Sequence, residues 1–204
     1  MRAATVAVVS AGLSVPSSTR LLADRLAAAT ATALRGHGIE PHLEVVELRE
    51  HARDLADNLV TGFPNTSLRA ALETVERADG LIAVTPIFSA SYSGLFKTFF
   101  DVLDKDALTG TPVLLAATAG TARHSLALEH ALRPLFAYLH AVVLPTAVFA
   151  ATDDFGADSA DGTLRSRITR AAGELARELE RRDPVTVLDP FALTTNFEDL
   201  LKTM

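Results

Sequence analysis

The sequence predicts an α/β fold in which a parallel sheet is covered on both faces by helices. Short apolar or β-branched runs alternate with longer segments of helical period, and four of the five runs are apolar almost without interruption. Strands buried on both faces have that character. The scale fits as well. The 204 residues are 49% apolar, which supplies one core of ordinary size and excludes disorder over most of the length.

The elements follow in order. The first strand is expected over Thr5–Ser10 (TVAVVS) and the first helix over Thr19–His37. In that helix Leu21, Leu22, Leu26, Ala29 and Ala33 recur at three and four residues, and Gly36 and Gly38 close it. Leu43–Leu48 (LEVVEL) alternates instead of running apolar, which places it at a sheet edge with one wetter face. A helix at Leu68–Arg77 leads to the strand Leu81–Thr85, and a helix at Gly94–Leu103 to the strand Pro112–Ala117. A helix at Ser125–Leu139 precedes the fifth strand, Val142–Val148, which Pro145 interrupts. The Asp- and Gly-containing stretch Thr152–Thr163 reads as a surface loop, and Leu164–Arg182 as the last helix. At Pro184 the periodicity stops. Residues 1–183 therefore form the domain, and 184–204 a tail whose Phe191, Phe197, Leu200 and Leu201 pack on the domain or on a partner subunit.

Composition removes several functions. Nineteen Lys and Arg against twenty-five Asp and Glu give a net charge of −6 with no basic run, so nucleic acid is not an expected partner. The absence of Cys excludes disulfides, thiolate catalysis and cysteine-ligated clusters, and fits a reducing compartment. The opening MRAATVAVVSAG is too short for a secretory apolar region, and nowhere do enough apolar residues run together to cross a membrane. A cytoplasmic protein is expected. The histidines show no metal-ligand spacing, and there is no G-x-S-x-G hydrolase elbow, so neither a metal nor a nucleophilic serine is expected.

In an open α/β sheet ligands bind beyond the carboxyl ends of the strands. After the first strand come Ser10, Ser14, Ser17, Ser18 and Thr19, a dense set of hydroxyls directly before a helix. Hydroxyls together with the unpaired N–H groups of a helix N-terminus can receive a phosphate; a helix cap alone needs only one of them. With neither G-x-G-x-x-G nor G-x-x-x-x-G-K-[ST] present, a mononucleotide is favoured over a dinucleotide or a nucleoside triphosphate. After the third strand, Thr85 to Lys97 (TPIFSASYSGLFK) offers an apolar and aromatic loop with small residues, suited to a flat ring with polar edges. Phe96, Phe99 and Phe100, at helical spacing, are assigned to packing in the core or against a second subunit.

The Ser-rich first loop, the T-P-x-[YF]-x-x-S-x-S-G-x-x-K segment and the third loop Thr118-Ala119-Gly120-Thr121 together resemble the NAD(P)H-dependent FMN reductase family. GTARHSLALEHALRPLFAYL and the terminal DPF…FEDLL resemble its actinobacterial members that partner luciferase-like monooxygenases. The resemblance implies a flavodoxin-like three-layer sandwich with a five-stranded parallel sheet of order 2-1-3-4-5. It implies that Ser10, Ser17, Ser18 and Thr19 hold the FMN phosphate and that Pro86, Ile87, Phe88 and Ser89 line the isoalloxazine. It further implies that the backbone of Thr118, Ala119, Gly120 and Thr121 reaches the pyrimidine edge or the ribityl chain. Arg123 and His124, which follow, either lie near the flavin or the nicotinamide phosphate or serve only to cap and pack. Two features of many relatives are missing: an Arg near Gly12, and a Glu-Tyr pair where this chain has Ile87-Phe88. Arg20 either substitutes for the absent Arg or points to solvent.

Hydride transfer from nicotinamide to flavin needs no protein acid or base, so no catalytic residue is expected. With no Trp, and Tyr only at positions 92 and 138, the aromatic sandwich of a one-electron carrier is hard to build. The expected function is an NAD(P)H:FMN oxidoreductase supplying reduced flavin to a monooxygenase, as a homodimer or homotetramer. The alternatives are a quinone, azo or metal-chelate reductase that keeps its FMN, and a carrier without turnover.

Overall fold

The structure is a computed structural model that describes residues 2–156 and 163–183. The tail and most of the second half of the 152–163 loop lie outside the described residues.

The chain runs β1 (Arg2–Ser10), α1 (Ser18–Gly36), β2 (Ile39–Glu47), α2 (Ala52–Thr61), α3 (Thr66–Glu76) and β3 (Gly80–Phe88). It continues through β4 (Ser91–Tyr92), α4 (Gly94–Val102), β5 (Pro112–Ala119), α5 (Arg133–Tyr138), β6 (Val142–Val143), β7 (Val148–Ala151) and α6 (Thr163–Glu180). The sheet order is β2-β1-β3-β5-β6, with β7 also parallel to β5 and the short β4 antiparallel to β3. The parallel order across five positions is the expected one, refined in two respects. The hairpin strand β4 was not anticipated, and the fifth position is shared by two short strands. Pro145 accounts for the second difference: it has no N–H to give a ladder, so pairing with β5 stops after Val143 and resumes at Val148.

Helices α1 and α6 cover one face of the sheet, packing Leu22, Leu26, Ile168 and Leu175 against Val6, Val8, Ile82 and Leu114. The other face is covered by α2–α5, where Leu55, Leu72, Phe96 and Phe136 meet Val9, Leu81, Ala83 and Leu115. Phe96, Phe99 and Phe100 are buried here, with Phe100 edge-on to both Phe99 and Phe136. Their place is the core, so the apolar face of α4 is not available to a second subunit. As its alternation predicts, β2 pairs only with β1 among the described residues, at the edge of the sheet.

Two helical expectations are corrected. Helix α2 was not predicted, because only Leu55 and Asn58 of its ten residues are buried and its apolar period is correspondingly faint. The continuous helix expected over Ser125–Leu139 is instead a 3₁₀ turn (Ala122–His124), a π turn (Leu128–Leu132) and the short α5. Pro134 sits in the first turn of α5, where its missing N–H is tolerated, and the backbone widens just before it.

Candidate functional site

A cleft of about 250 Å³ opens at the carboxyl ends of β1, β3, β5 and β7, beside the point where the chain leaves β1 in one direction and β3 in the other. Leu13, Ser14, Ser17, Ser18 and Thr19 form its first wall, Pro86, Ile87 and Phe88 its second, and Thr118, Ala119 and Gly120 its third. Thr152, just beyond β7, completes it.

The first wall is built by a chain reversal onto α1. Ser17 caps that helix, its Oγ accepting from the Arg20 N–H at 3.2 Å, while the Leu21 N–H donates to the Ser17 carbonyl at 3.0 Å. The Ser18 and Thr19 N–H groups belong to the first turn, which an α-helix cannot satisfy internally. Residue 12 has to be glycine for this reversal: a Cβ there would stand 2.1 Å from Ser17 Oγ and 3.1 Å from Ser17 Cβ. Thr19 is buried, and its hydroxyl lies 2.8 Å from that of buried Thr118, which locks the first wall to the third.

The second wall is fixed from below. The Thr85 hydroxyl accepts from the Ser93 N–H at 3.1 Å and donates to the Pro86 carbonyl at 2.9 Å, and Ser93 caps α4 by accepting from the Phe96 N–H. Ser89 and Ala90 turn the chain from β3 into β4 with φ of 49° and 69°, the left-handed region that a two-residue hairpin requires. Phe88, half exposed at the end of β3, is the one aromatic side chain on the cleft wall among the described residues.

Arg20 does not supply the missing first-loop cation. Its Nε donates to Asp24 at 2.7 Å, its Nη1 bonds Glu47, and these two carboxylates hold its pKa above the usual arginine value. The cleft thus offers an anion hydroxyls and a helix N-terminus, whose dipole is worth about 0.3–1 kcal/mol at exposed sites, without a cationic side chain among the described residues that line it.

Of the residues singled out in the sequence, the cleft brings together Ser17, Ser18, Thr19, Pro86, Ile87, Phe88, Thr118, Ala119 and Gly120. Ser10, Ser89, Thr121, Arg123 and His124 do not line it. Ser10 lies at the end of β1, its Oγ buried and without a hydrogen-bond partner among the described residues. Ser89 is in the hairpin turn, and Thr121 caps the 3₁₀ turn that carries exposed Arg123 and His124. Ser14, one of the first-loop hydroxyls, also lines the cleft, whereas the sequence reading does not single out Leu13 or Thr152. Thr152 follows the fifth strand, whose end the sequence reading does not count among the ligand-binding loops.

This arrangement defines a flavodoxin-like α/β protein with a cleft at the carboxyl edge of its sheet. The chain belongs to the NADPH-dependent FMN reductase family, whose model matches residues 4–156. It is 42% identical over 173 residues, 85% of this chain and 88% of the relative, to the NADH-dependent FMN reductase SfnE of Pseudomonas putida. Over 150 residues, 74% of this chain and 78% of the relative, it is 41% identical to an NADPH FMN reductase of Pseudomonas aeruginosa. An X-ray structure of an oxidoreductase from Corynebacterium diphtheriae superposes with a TM-score of 0.86 at 49% identity, covering 90% of this chain and all of that one. The protein is accordingly an NAD(P)H:FMN oxidoreductase.

The residues present fit FMN. The orphaned Ser10 hydroxyl, the Ser18 and Thr19 N–H groups at the start of α1 and the glycine-dependent fold of the first wall suit its phosphate end. The apolar second wall suits its ring.

Proposed function

We propose that the protein takes FMN as a dissociable substrate, reduces it with NADH or NADPH, and supplies reduced FMN to a partner flavin-dependent monooxygenase in the cytoplasm. One observation carries the first part: Arg20, in the first turn of α1, is committed to Asp24 and Glu47, leaving the phosphate no fixed cation among the described residues of the cleft walls. A cup of neutral donors favours exchange over retention. The small, open cleft and its single half-exposed aromatic act in the same direction.

Bound FMN supplies the hydride-accepting centre. Ser17, Ser18 and Thr19 anchor the phosphate end, the Thr118–Gly120 backbone orients the polar edge of the ring, and Phe88 with Ile87 holds one side of it against water. The other side stays open to nicotinamide. The monooxygenase role draws on the subgroup resemblance of the Gly120–Leu139 segment. Assembly as a homodimer or homotetramer is supported by exposed apolar side chains at Leu13, Val15, Leu126 and Tyr138; light scattering at micromolar concentration checks it, and a monomeric mass contradicts it.

The test of substrate-type FMN is gel filtration of the purified protein loaded with FMN, followed by rate measurements on the protein fraction. Loss of the yellow colour with recovery of activity on adding FMN is expected. Colour that stays with the protein sinks the reading.

A further inference from the structure

The cleft, at about 250 Å³, is small for a ligand pocket, and FMN itself has to be held there. A nicotinamide dinucleotide stacked on the open side of the ring therefore leaves its adenosine half outside, across one of the cleft's four sides. The charge on those sides differs. On the first, the flavin phosphate repels any further phosphate, and Arg20 is committed to Asp24 and Glu47. On the second, Pro86 to Phe96 carries no charged side chain. On the fourth, just beyond Thr152, stand Asp153 and Asp154. The third side alone among these is cationic. Past Gly120 the chain enters the 3₁₀ turn Ala122–His124, capped by Thr121, whose Oγ1 accepts from the Arg123 N–H at 3.4 Å. Arg123, His124 and Ser125 follow one another there, all exposed, and their side chains make no hydrogen bond or ion pair among the described residues. A guanidinium, an imidazole and a hydroxyl are all donors to a phosphate monoester.

We propose that Arg123, with His124 and Ser125 beside it, receives the 2′-phosphate of NADPH and makes NADPH the preferred hydride donor. The inference rests on the reading that nicotinamide enters over the open side of the flavin. NADPH differs from NADH only by that phosphate, so a cation that binds it separates the two donors without touching the reacting atoms. Arginine suits the task. Its planar fork meets a phosphate through two parallel N–H bonds, and a nearby arginine is how dinucleotide sites of the Rossmann type accommodate the same group. The reach is short: Arg123 lies three residues past Gly120, at most about 11 Å along the chain from the third wall. Because its side chain holds no carboxylate among the described residues, it gives up no protein partner when the phosphate arrives, whereas Arg20 has two to lose. His124 has at least one ring N–H in any protonation state and adds a second donor. These residues set specificity and orient the donor; they take no part in the hydride step.

The test compares nucleotides that differ only by that phosphate, in FMN-saturated protein. Calorimetric titration is expected to show 2′,5′-ADP binding about tenfold more tightly than 5′-AMP, and kcat/KM to favour NADPH over NADH by a similar factor. Arg123→Gln is expected to remove most of both preferences. Arg123→Lys should keep part of them, because the charge stays while the fork is lost, and His124→Gln should reduce them about threefold. The control for diffuse charge is Arg53→Gln, which removes an exposed arginine of α2 that makes no ion pair among the described residues and should change neither preference. Equal binding of the two nucleotides by the unsubstituted protein overturns the proposal. So does a preference that survives Arg123→Gln, or one that falls as far in Arg53→Gln. An equal fall in kcat/KM for NADH and NADPH in Arg123→Gln also overturns it, since it assigns the arginine to the flavin or to the fold. Both preferences are read at saturating FMN and hold whether FMN exchanges or stays bound, so colour retained through gel filtration sinks the dissociable-substrate reading and leaves this one standing.

Discussion

The hydroxyls of Thr19 and Thr118 lie 2.8 Å apart in the interior and join the first turn of α1 to the end of β5. Each is the other's hydrogen-bond partner across the base of the cleft, so the phosphate end of the site is set in position by the strand that carries its third wall. Replacing either by valine keeps the shape and strands the other hydroxyl, at a cost of about 1–3 kcal/mol. Thr19→Val and Thr118→Val are each expected to lower the denaturation midpoint and raise the KM for FMN. The double variant should cost clearly less than the sum of the two, and additive losses would show that the hydroxyls do not form a unit.

Arg20 offers a sharper test of how the phosphate is received. With both its carboxylate partners in place it contributes little to FMN binding, so Arg20→Ala should leave the KM for FMN within about threefold, the span of a surface ion pair. Releasing it by Asp24→Asn with Glu47→Gln should lower that KM and make it more salt-dependent. Riboflavin, which lacks the phosphate, should not respond. A large loss in Arg20→Ala would mean that the guanidinium reaches the phosphate after all.

Gly12 is where the first wall is least tolerant. A methyl group at this position collides with Ser17 Oγ, and overpacking of this kind costs about 1–3 kcal/mol. Gly12→Ala should therefore weaken FMN binding about tenfold or more, as read by flavin titration. Adding Ser17→Gly removes the colliding hydroxyl and should recover part of the affinity, while no recovery would place the damage elsewhere.

The break in the fifth strand has its own support. Arg133 donates to the carbonyls of Leu144 and Pro145 while Glu129 holds its guanidinium through two bonds of 2.6 and 2.9 Å. The bond to Arg133 keeps the Glu129 carboxyl below its usual pKa. A carboxyl with a depressed folded-state value stabilises the protein above its unfolded pKa and loses that contribution as pH falls through the folded one. Glu129 is about half exposed, so the effect is small, on the order of 0.2–1 kcal/mol. Glu129→Gln should lower stability at neutral pH and flatten its decline in acid; an unchanged acid slope would contradict the assignment.

Much of this was readable in the residues. The runs TVAVVS, LIAVT and PVLLAA are nearly all apolar and became the buried strands β1, β3 and β5, and the alternation of LEVVEL marked the edge. The walls around Ser17–Thr19, Pro86–Phe88 and Thr118–Gly120 were legible because parallel strands deliver their loops to one edge. What escaped depends on contacts distant in sequence. Helix α2 buries too little to show a period, and Thr152 enters the cleft only because β7 re-forms after Pro145. The engagement of helical Arg20 draws on Glu47, which ends β2 27 residues away.

The measurement that bears most directly on FMN as a dissociable substrate is the initial rate of NADH and NADPH oxidation by protein purified through gel filtration, with no step that strips flavin, as FMN is added. A negligible rate without FMN, rising saturably with its concentration, is the predicted result, and the ratio of the two donors assigns the preferred nicotinamide. Oxidation that proceeds at full rate without added FMN, or none with either donor at any FMN concentration, would contradict it.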